Sequence, residues 1–196
     1  MAAMQCNQTV RGNLATRAVQ CGFTLIELIV VLAVGSVLLS VAVPAMTGML
    51  HTQRSISTVN ALFTSLSLAR SEAIKRNARA VLCKTADGVS CTTHGGWEQG
   101  WMVFHDANNN AARDPGEAVV QHQGPAAPGM RLSGNTPVSN YVSYNALGTA
   151  KLASGAFQAG TFTLCPASAS STDVRQVVLS NTGRVRTQKG SVNDCR

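Results

Sequence analysis

The sequence predicts an α+β protein: one long amino-terminal α-helix, apolar in its first half and amphipathic in its second, packed on an antiparallel β-sheet head. Three observations carry this prediction. From Leu28 to Leu50 there is no charged side chain. From Val59 to Ile74 apolar residues recur at three- and four-residue steps, the period of one helix face. Beyond Asn77 the apolar residues come in short runs separated by Gly, Asn, Ser and Pro, which punctuate strands and turns.

Residues 1–22 are polar, with Arg11 and Arg17 and no acid. Positive residues ahead of an apolar span keep that end cytoplasmic. Met4 is a second possible start. Residues 23–50 form an apolar helix of about 40 Å, enough to cross a bilayer. Pro44 and Gly48 are expected to loosen it near the far membrane face. An ordinary secretory signal cut near Val43-Pro44-Ala45 is the rival reading. Its apolar region would be about 7–15 residues, whereas this one is longer and holds Glu27 at its start. A lipid-modified Cys21 would need the apolar run before it, and here the run comes after.

Residues 51–77 continue the helix. Val59, Leu62, Phe63, Leu66, Ala69, Ala73 and Ile74 make the stripe that the head should cover. Arg54, Arg70, Glu72, Lys75 and Arg76 take the remaining surface, with Glu72 and Arg76 spaced for an i,i+4 pair. The helix should fade near Asn77, roughly 80 Å from Phe23. Residues 78–196 form the head. Its strands are read at Arg79–Lys84, Trp97–Phe104, Ala118–Val120, Met130–Leu132, Tyr141–Tyr144, Phe162–Cys165 and Val174–Leu179, with a turn at Asp87-Gly88 and loops at Ala153–Gly160 and Ala167–Thr172.

The 196 residues are 45% hydrophobic and 13% charged, with a formal net charge of +7. Removing Arg11 and Arg17 with residues 1–22 leaves +5, an excess suited to an anionic partner such as nucleic acid or lipid headgroups. Four cysteines follow the apolar segment: Cys83, Cys91, Cys165 and Cys195. An even number beyond a membrane segment suggests an oxidising compartment and two disulfides, with four free thiols as the other reading. Of three pairings, Cys83–Cys91 and Cys165–Cys195 are expected. The first pair flanks a short turn-rich loop, and the second would tie the carboxyl tail to an inner strand.

A carboxylate at position 27 is costly inside a membrane, about 2.5–3.5 kcal/mol on insertion scales, so Glu27 needs a partner. Gly22-Phe23-Thr24-Leu25-Ile26-Glu27 closely resembles the type IV pilin signature. The resemblance implies that a prepilin peptidase cuts after Gly22 and methylates the new Phe23 amine. It also implies that Glu27 meets the amine of a neighbouring subunit in a filament. A second stretch, Trp97-Glu-Gln-Gly-Trp101-Met-Val-Phe104-His-Asp106 with the following Asn and acidic residues, resembles the hairpin of pseudopilin H and of FimT/FimU-type minor pilins. That implies the pilin fold, other pilins or pseudopilins as partners, and a single-pass inner-membrane precursor whose head lies in the periplasm before it joins the filament. A type II secretion pseudopilin without DNA binding and a soluble secreted binding protein are the competing readings.

Asp106, Asn108, Asn110, Asp114 and Glu117 fall at positions 1, 3, 5, 9 and 12 of an EF-hand calcium loop. Position 6, where the sharp turn wants glycine, is Ala111, and strands rather than helices flank the run. The structural reading is a hairpin loop whose Asx side chains satisfy its own backbone. His51, His94, His105 and His122 lack zinc spacing. No nucleotide-binding, nucleophile-elbow or Ser/His/Asp pattern is present, so neither an enzyme nor a cofactor is expected. In the tail, Arg184 and Arg186 share one side of an extended segment; Arg175 and Arg196 lie near in sequence, and Lys189 adds to the cluster. Gly183-Arg184-Val185-Arg186 resembles the Gly-Arg-x-Arg motif through which FimT-type pilins bind double-stranded DNA in natural transformation. The plain reading is a solvated basic edge strand that deters aggregation.

Overall fold

The computed structural model describes residues 23–166 and 173–191. Positions 1–22, loop 167–172 and the tail from Val192, including Cys195, lie outside the described residues. The chain forms two compact units, one ending at Met46 and one beginning at Thr47. The first element, α1, spans Leu25–Arg76. Its backbone stays helical through positions 44 and 48. An interior proline removes one ladder hydrogen bond without ending the helix here.

Thr24 begins α1. Its hydroxyl accepts a hydrogen bond from the Glu27 backbone N–H at 3.3 Å, satisfying one of the amides that a helix start leaves free. Within the apolar segment, Ser36 and Ser40 donate their hydroxyls to the carbonyls of Ala33 and Val37, so neither of these two hydroxyls needs water. At the far end Asn77 takes a left-handed φ of 52°. Asn77 N–H bonds Ile74 C=O and Ala78 N–H bonds Ala73 C=O, both at 3.2 Å. This paired reverse bonding ends a helix and consumes its last carbonyls.

Among the described residues eight strands follow: β1 Arg79–Lys84, β2 Trp101–Asp106, β3 Val119–Gln123, β4 Met130–Gly134, β5 Tyr141–Tyr144, β6 Gly160–Pro166, β7 Asp173–Leu179 and β8 Val185–Ser191. They form two antiparallel four-stranded sheets, ordered β3-β2-β1-β5 and β4-β6-β7-β8. One core gathers Val59, Leu62, Leu66, Ala69 and Ala73 of α1 with residues of both sheets, among them Leu82, Trp101, Val142, Phe162, Leu164 and Val177. Phe63 and Ile74, expected in the stripe, are exposed. Each lies one residue, about 100° of helix rotation, past the buried Leu62 or Ala73, and so outside the covered arc.

At β1 and β2 the first sheet is buried on both faces. Ala80, Leu82, Trp101 and Val103 face the main core, while Val81, Cys83, Met102 and Phe104 form a second cluster with Ala111. That is why β1 shows a continuous apolar run with no alternation. Trp97 does not belong to the strand read there. Trp97–Gln99 is a 3₁₀ turn, and Gly100 at φ 121° redirects the chain into β2. Inside the turn the Trp97 indole N–H bonds Val138 C=O at 3.1 Å, and its ring meets Phe162 edge-on at 5.2 Å. Trp101 donates to the Ser65 hydroxyl, which donates to the Gln121 side-chain carboxamide oxygen, each at 2.9 Å, pinning α1 to β2 and β3.

Candidate functional site

Around the amino terminus of α1 every large apolar side chain from Phe23 to Val43 is exposed, Phe23 at 83%. An 18-residue window of this helix has mean hydropathy 2.6 and is not buried inside the protein. By length and composition it suffices to cross a membrane. Glu27 stands in its first turn, where the helix dipole favours an acid. Its carboxylate has no hydrogen bond or ion pair among the described residues. Gly22, the residue before the expected cut, lies outside them.

The run from Asp106 to Glu117 connects β2 to β3 and folds over the outer cluster through Ala111. Asp106, buried, accepts from the Asn110 and Ala111 amides. Asn108 and Asn110 give their carboxamide N–H groups to Asp114 at 2.7 and 2.8 Å. Glu117 accepts from the Ala107 and Asp114 amides. Ala111 takes the left-handed φ of 61° that glycine would take more cheaply. Each candidate calcium ligand thus has an oxygen spent within the loop. Among the described residues no group of three or more His, Cys, Asp or Glu side chains is placed to hold a metal.

Cys83 and Cys91 are bonded, closing an eight-residue separation. Lys84, next to this bridge, is buried and donates its ammonium to the carbonyls of Thr93 and Gly95 at 3.2 and 2.8 Å. Burial pushes its pKa down, against an upward pull from Glu98. In the same loop, amides and hydroxyls of Ser90, Val89 and Thr85 hold the Asp87 carboxyl well below its usual range. Cys165 is disulfide-bonded, and its expected partner Cys195 lies outside the described residues.

Toward the end of α1, Glu72 contacts Arg76 at 3.3 Å, as its spacing predicts, and also Lys75 at 3.6 Å. The sequence did not reveal its third neighbour, His105, whose Nε2 is 3.2 Å from a Glu72 oxygen without hydrogen-bond alignment. Burial, then Arg76, lowers the His105 pKa, and Glu72 opposes them.

The basic tail is a β-hairpin. Ser180 and Arg184 pair through backbone and hydroxyl bonds around the Asn181-Thr182-Gly183 turn. Gly183 sits at φ 80°, and a Cβ on it would lie 2.0 Å from Gly148 O. Arg70 of α1, read from sequence as surface, fastens both turns: it bonds Gly148 C=O at 2.9 Å and Thr182 C=O at 3.4 Å. The glycine of Gly-Arg-x-Arg is therefore required by turn packing, and it launches the arginines. Arg184 and Arg186 are exposed on one face beside Val178 and Ser180. Lys189 does not join them. Odd and even residues of a strand face opposite sides, so Lys189 lies on the other face, opposite Arg175 of β7. Sequence proximity suggests one cluster, and strand alternation divides it.

Two family models match this chain. Residues 58–183 match the type II transport protein GspH, and residues 17–43 match the prokaryotic N-terminal methylation motif. The first covers more than half of the chain. The chain belongs to the GspH family. It is of the minor pilin and pseudopilin kind, structural and non-enzymatic. The pilin-like protein PilA1 of Thermus thermophilus is 34% identical over 96 residues, 49% of this chain and 54% of that protein. The match spans about half the length of that relative. The type IV minor pilin FimU of Pseudomonas aeruginosa shares the fold of this GspH-family chain. TM-score is 0.50 at 18% identity, over 70% of this chain and 90% of FimU. The minor pseudopilin EpsH of the Vibrio cholerae type 2 secretion system aligns with TM-score 0.48 at 12% identity, over 69% of this chain and 96% of EpsH.

Proposed function

We propose that this protein is a filament subunit of a type IV pilus or type II secretion system. A prepilin peptidase cuts it between Gly22 and Phe23 and methylates the Phe23 amine. The apolar half of α1 anchors it in the inner membrane with the head in the periplasm, and it then packs with other pilins or pseudopilins. The observation that carries this reading is the Glu27 carboxylate, without a partner among the described residues, in a helix segment whose large apolar side chains from Phe23 to Val43 are exposed. At the centre of a membrane helix an unpaired charge costs about 2.5–3.5 kcal/mol, and less toward the helix ends. A neighbouring subunit's amine would neutralise it. Glu27→Ala should leave the chain in the membrane fraction and remove it from sheared filaments. Recovery in filaments at wild-type level would defeat the reading.

A second reading concerns double-stranded DNA. Arg184 and Arg186 are exposed, share a face, and have no acidic partner among the described residues. Guanidinium forks bind phosphates bidentately, and β8 is a sheet edge open to a ligand. We propose that this edge captures DNA. In a gel-shift titration of the full chain in detergent, Arg184→Ala/Arg186→Ala should weaken binding, and added salt should weaken the wild type. Equal binding by the double variant would leave a pseudopilin without a DNA role.

A further inference from the structure

Resting on the DNA reading above, we infer that the contact straddles the β8 edge, with Arg175 and Lys189 on the opposite face belonging to the same phosphate track as Arg184 and Arg186. The register places Arg175 directly opposite Lys189 across the β7–β8 ladder. Like charges directly opposed on one sheet face are destabilising. Nothing among the described residues offsets them: the ion pairs there all involve Glu72, and neither cation has a side-chain partner there. The two side chains line a groove of about 250 Å³ with Ile56, Val59 and Asn60 of α1 and Thr187 and Gln188 of β8. Asn60, Thr187 and Gln188 are uncharged hydrogen-bonding residues beside the two cations, although the Gln188 side chain already donates to Gln176. A groove with two unpaired cations and neutral polar neighbours fits a phosphate-bearing ligand.

Geometry favours a polymer over a single phosphate. From residue 184 to residue 189 the strand rises about 17 Å, and duplex DNA carries a phosphate about every 3.4 Å of axis along one strand. A run of that length spans more than one phosphate of a single backbone, so four cations along one exposed edge suit a polymer. The strands of the second sheet hold Arg131, Arg175, Arg186 and Lys189 against one acid, Asp173. A backbone laid along β8 meets Arg184 and Arg186 on one side and Lys189 and Arg175 on the other.

The test is the salt dependence of duplex binding by the full chain in detergent, from about 50 to about 200 mM salt. Four neutralised phosphates give a slope of log affinity against log salt of about −3.6. Arg184→Gln/Arg186→Gln and Arg175→Gln/Lys189→Gln should each bring it to about −1.8, and the charge-conserving Arg175→Lys/Lys189→Arg should keep the wild-type value, which separates lost charge from lost fold. If Arg175→Gln/Lys189→Gln keeps the full slope while Arg184→Gln/Arg186→Gln halves it, the straddling contact is overturned and the DNA reading stands. If the Arg175/Lys189 variant instead loses binding to anionic phospholipid vesicles with its DNA slope unchanged, the groove is a lipid site and the inference fails. If the wild type binds no duplex at any salt, both fail.

Discussion

Replacing Gly183 by alanine tests whether the glycine ahead of the arginine pair is a turn requirement. Two costs can be worked from the structure. A left-handed φ of 80° costs a non-glycine residue about 1–2 kcal/mol. The added Cβ would also sit 2.0 Å from the Gly148 carbonyl oxygen, a backbone atom that no rotamer change can move. Relief requires the β7–β8 turn to lift, which weakens the Ala150–Asn181 and Arg70–Thr182 bonds at 3.3 and 3.4 Å. Those contribute about 1 kcal/mol each or less. The sum is about 3 kcal/mol. Gly116→Ala is the control: Gly116 has φ 98° and nothing within 4 Å of the point a Cβ would occupy, so it carries the backbone cost alone. Both substitutions lower the entropy of the unfolded chain alike, so that term cancels between them. Urea unfolding of the full chain, followed by emission of the buried Trp97 and Trp101, should place Gly183→Ala about 1–2 kcal/mol below Gly116→Ala. Equal stabilities would refute the packing argument.

Three further outcomes follow from the head. Because His105 has its pKa lowered from 6.5, the unfolded chain binds its proton first as pH falls; stability should decline from pH 6.5 down toward the lower folded value, and His105→Gln should flatten that part of a stability-against-pH curve. Cys83→Ala opens a loop of separation 8 and should cost roughly 2.5 kcal/mol by chain entropy, with reductant abolishing the difference from wild type apart from any effect at Cys165. Ser65→Ala leaves the Trp101 indole N–H and the Gln121 side-chain carboxamide oxygen without their shared partner and should cost about 1–3 kcal/mol in denaturant unfolding, with Ser65→Thr nearer to wild type.

The helix was legible because its signals are local. Its stripe from Val59 to Ala73, its end near Asn77 and the Glu72–Arg76 pair all follow from a 3.6-residue period and a residue that tolerates left-handed backbone. The Cys83–Cys91 bridge follows from short spacing across a turn. Strand boundaries were less legible where tertiary burial overrides alternation: both faces of β1 and β2 are covered, so they read as apolar runs, and Trp97 looks like their continuation. At the candidate DNA edge, Arg184 and Arg186 emerge from spacing alone. Arg175 is read as part of the basic cluster from sequence, but its place opposite Lys189 comes only from strand pairing, and Lys189 falls on the other face from Arg184 and Arg186 because two-residue alternation outweighs proximity in sequence. Long-range contacts such as Arg70 to the Gly148 and Gly183 turns, Lys84 to its loop carbonyls, and Glu72 to His105 leave no periodic signature.

The most direct test of a processed filament subunit is the chemistry of its mature amino terminus. Mass spectrometry of the protein from its native membranes should find N-methylphenylalanine at position 23, with residues 1–22 gone and the intact apolar segment attached. A soluble product beginning beyond Ala45, or a membrane form that keeps Gly22, would contradict it.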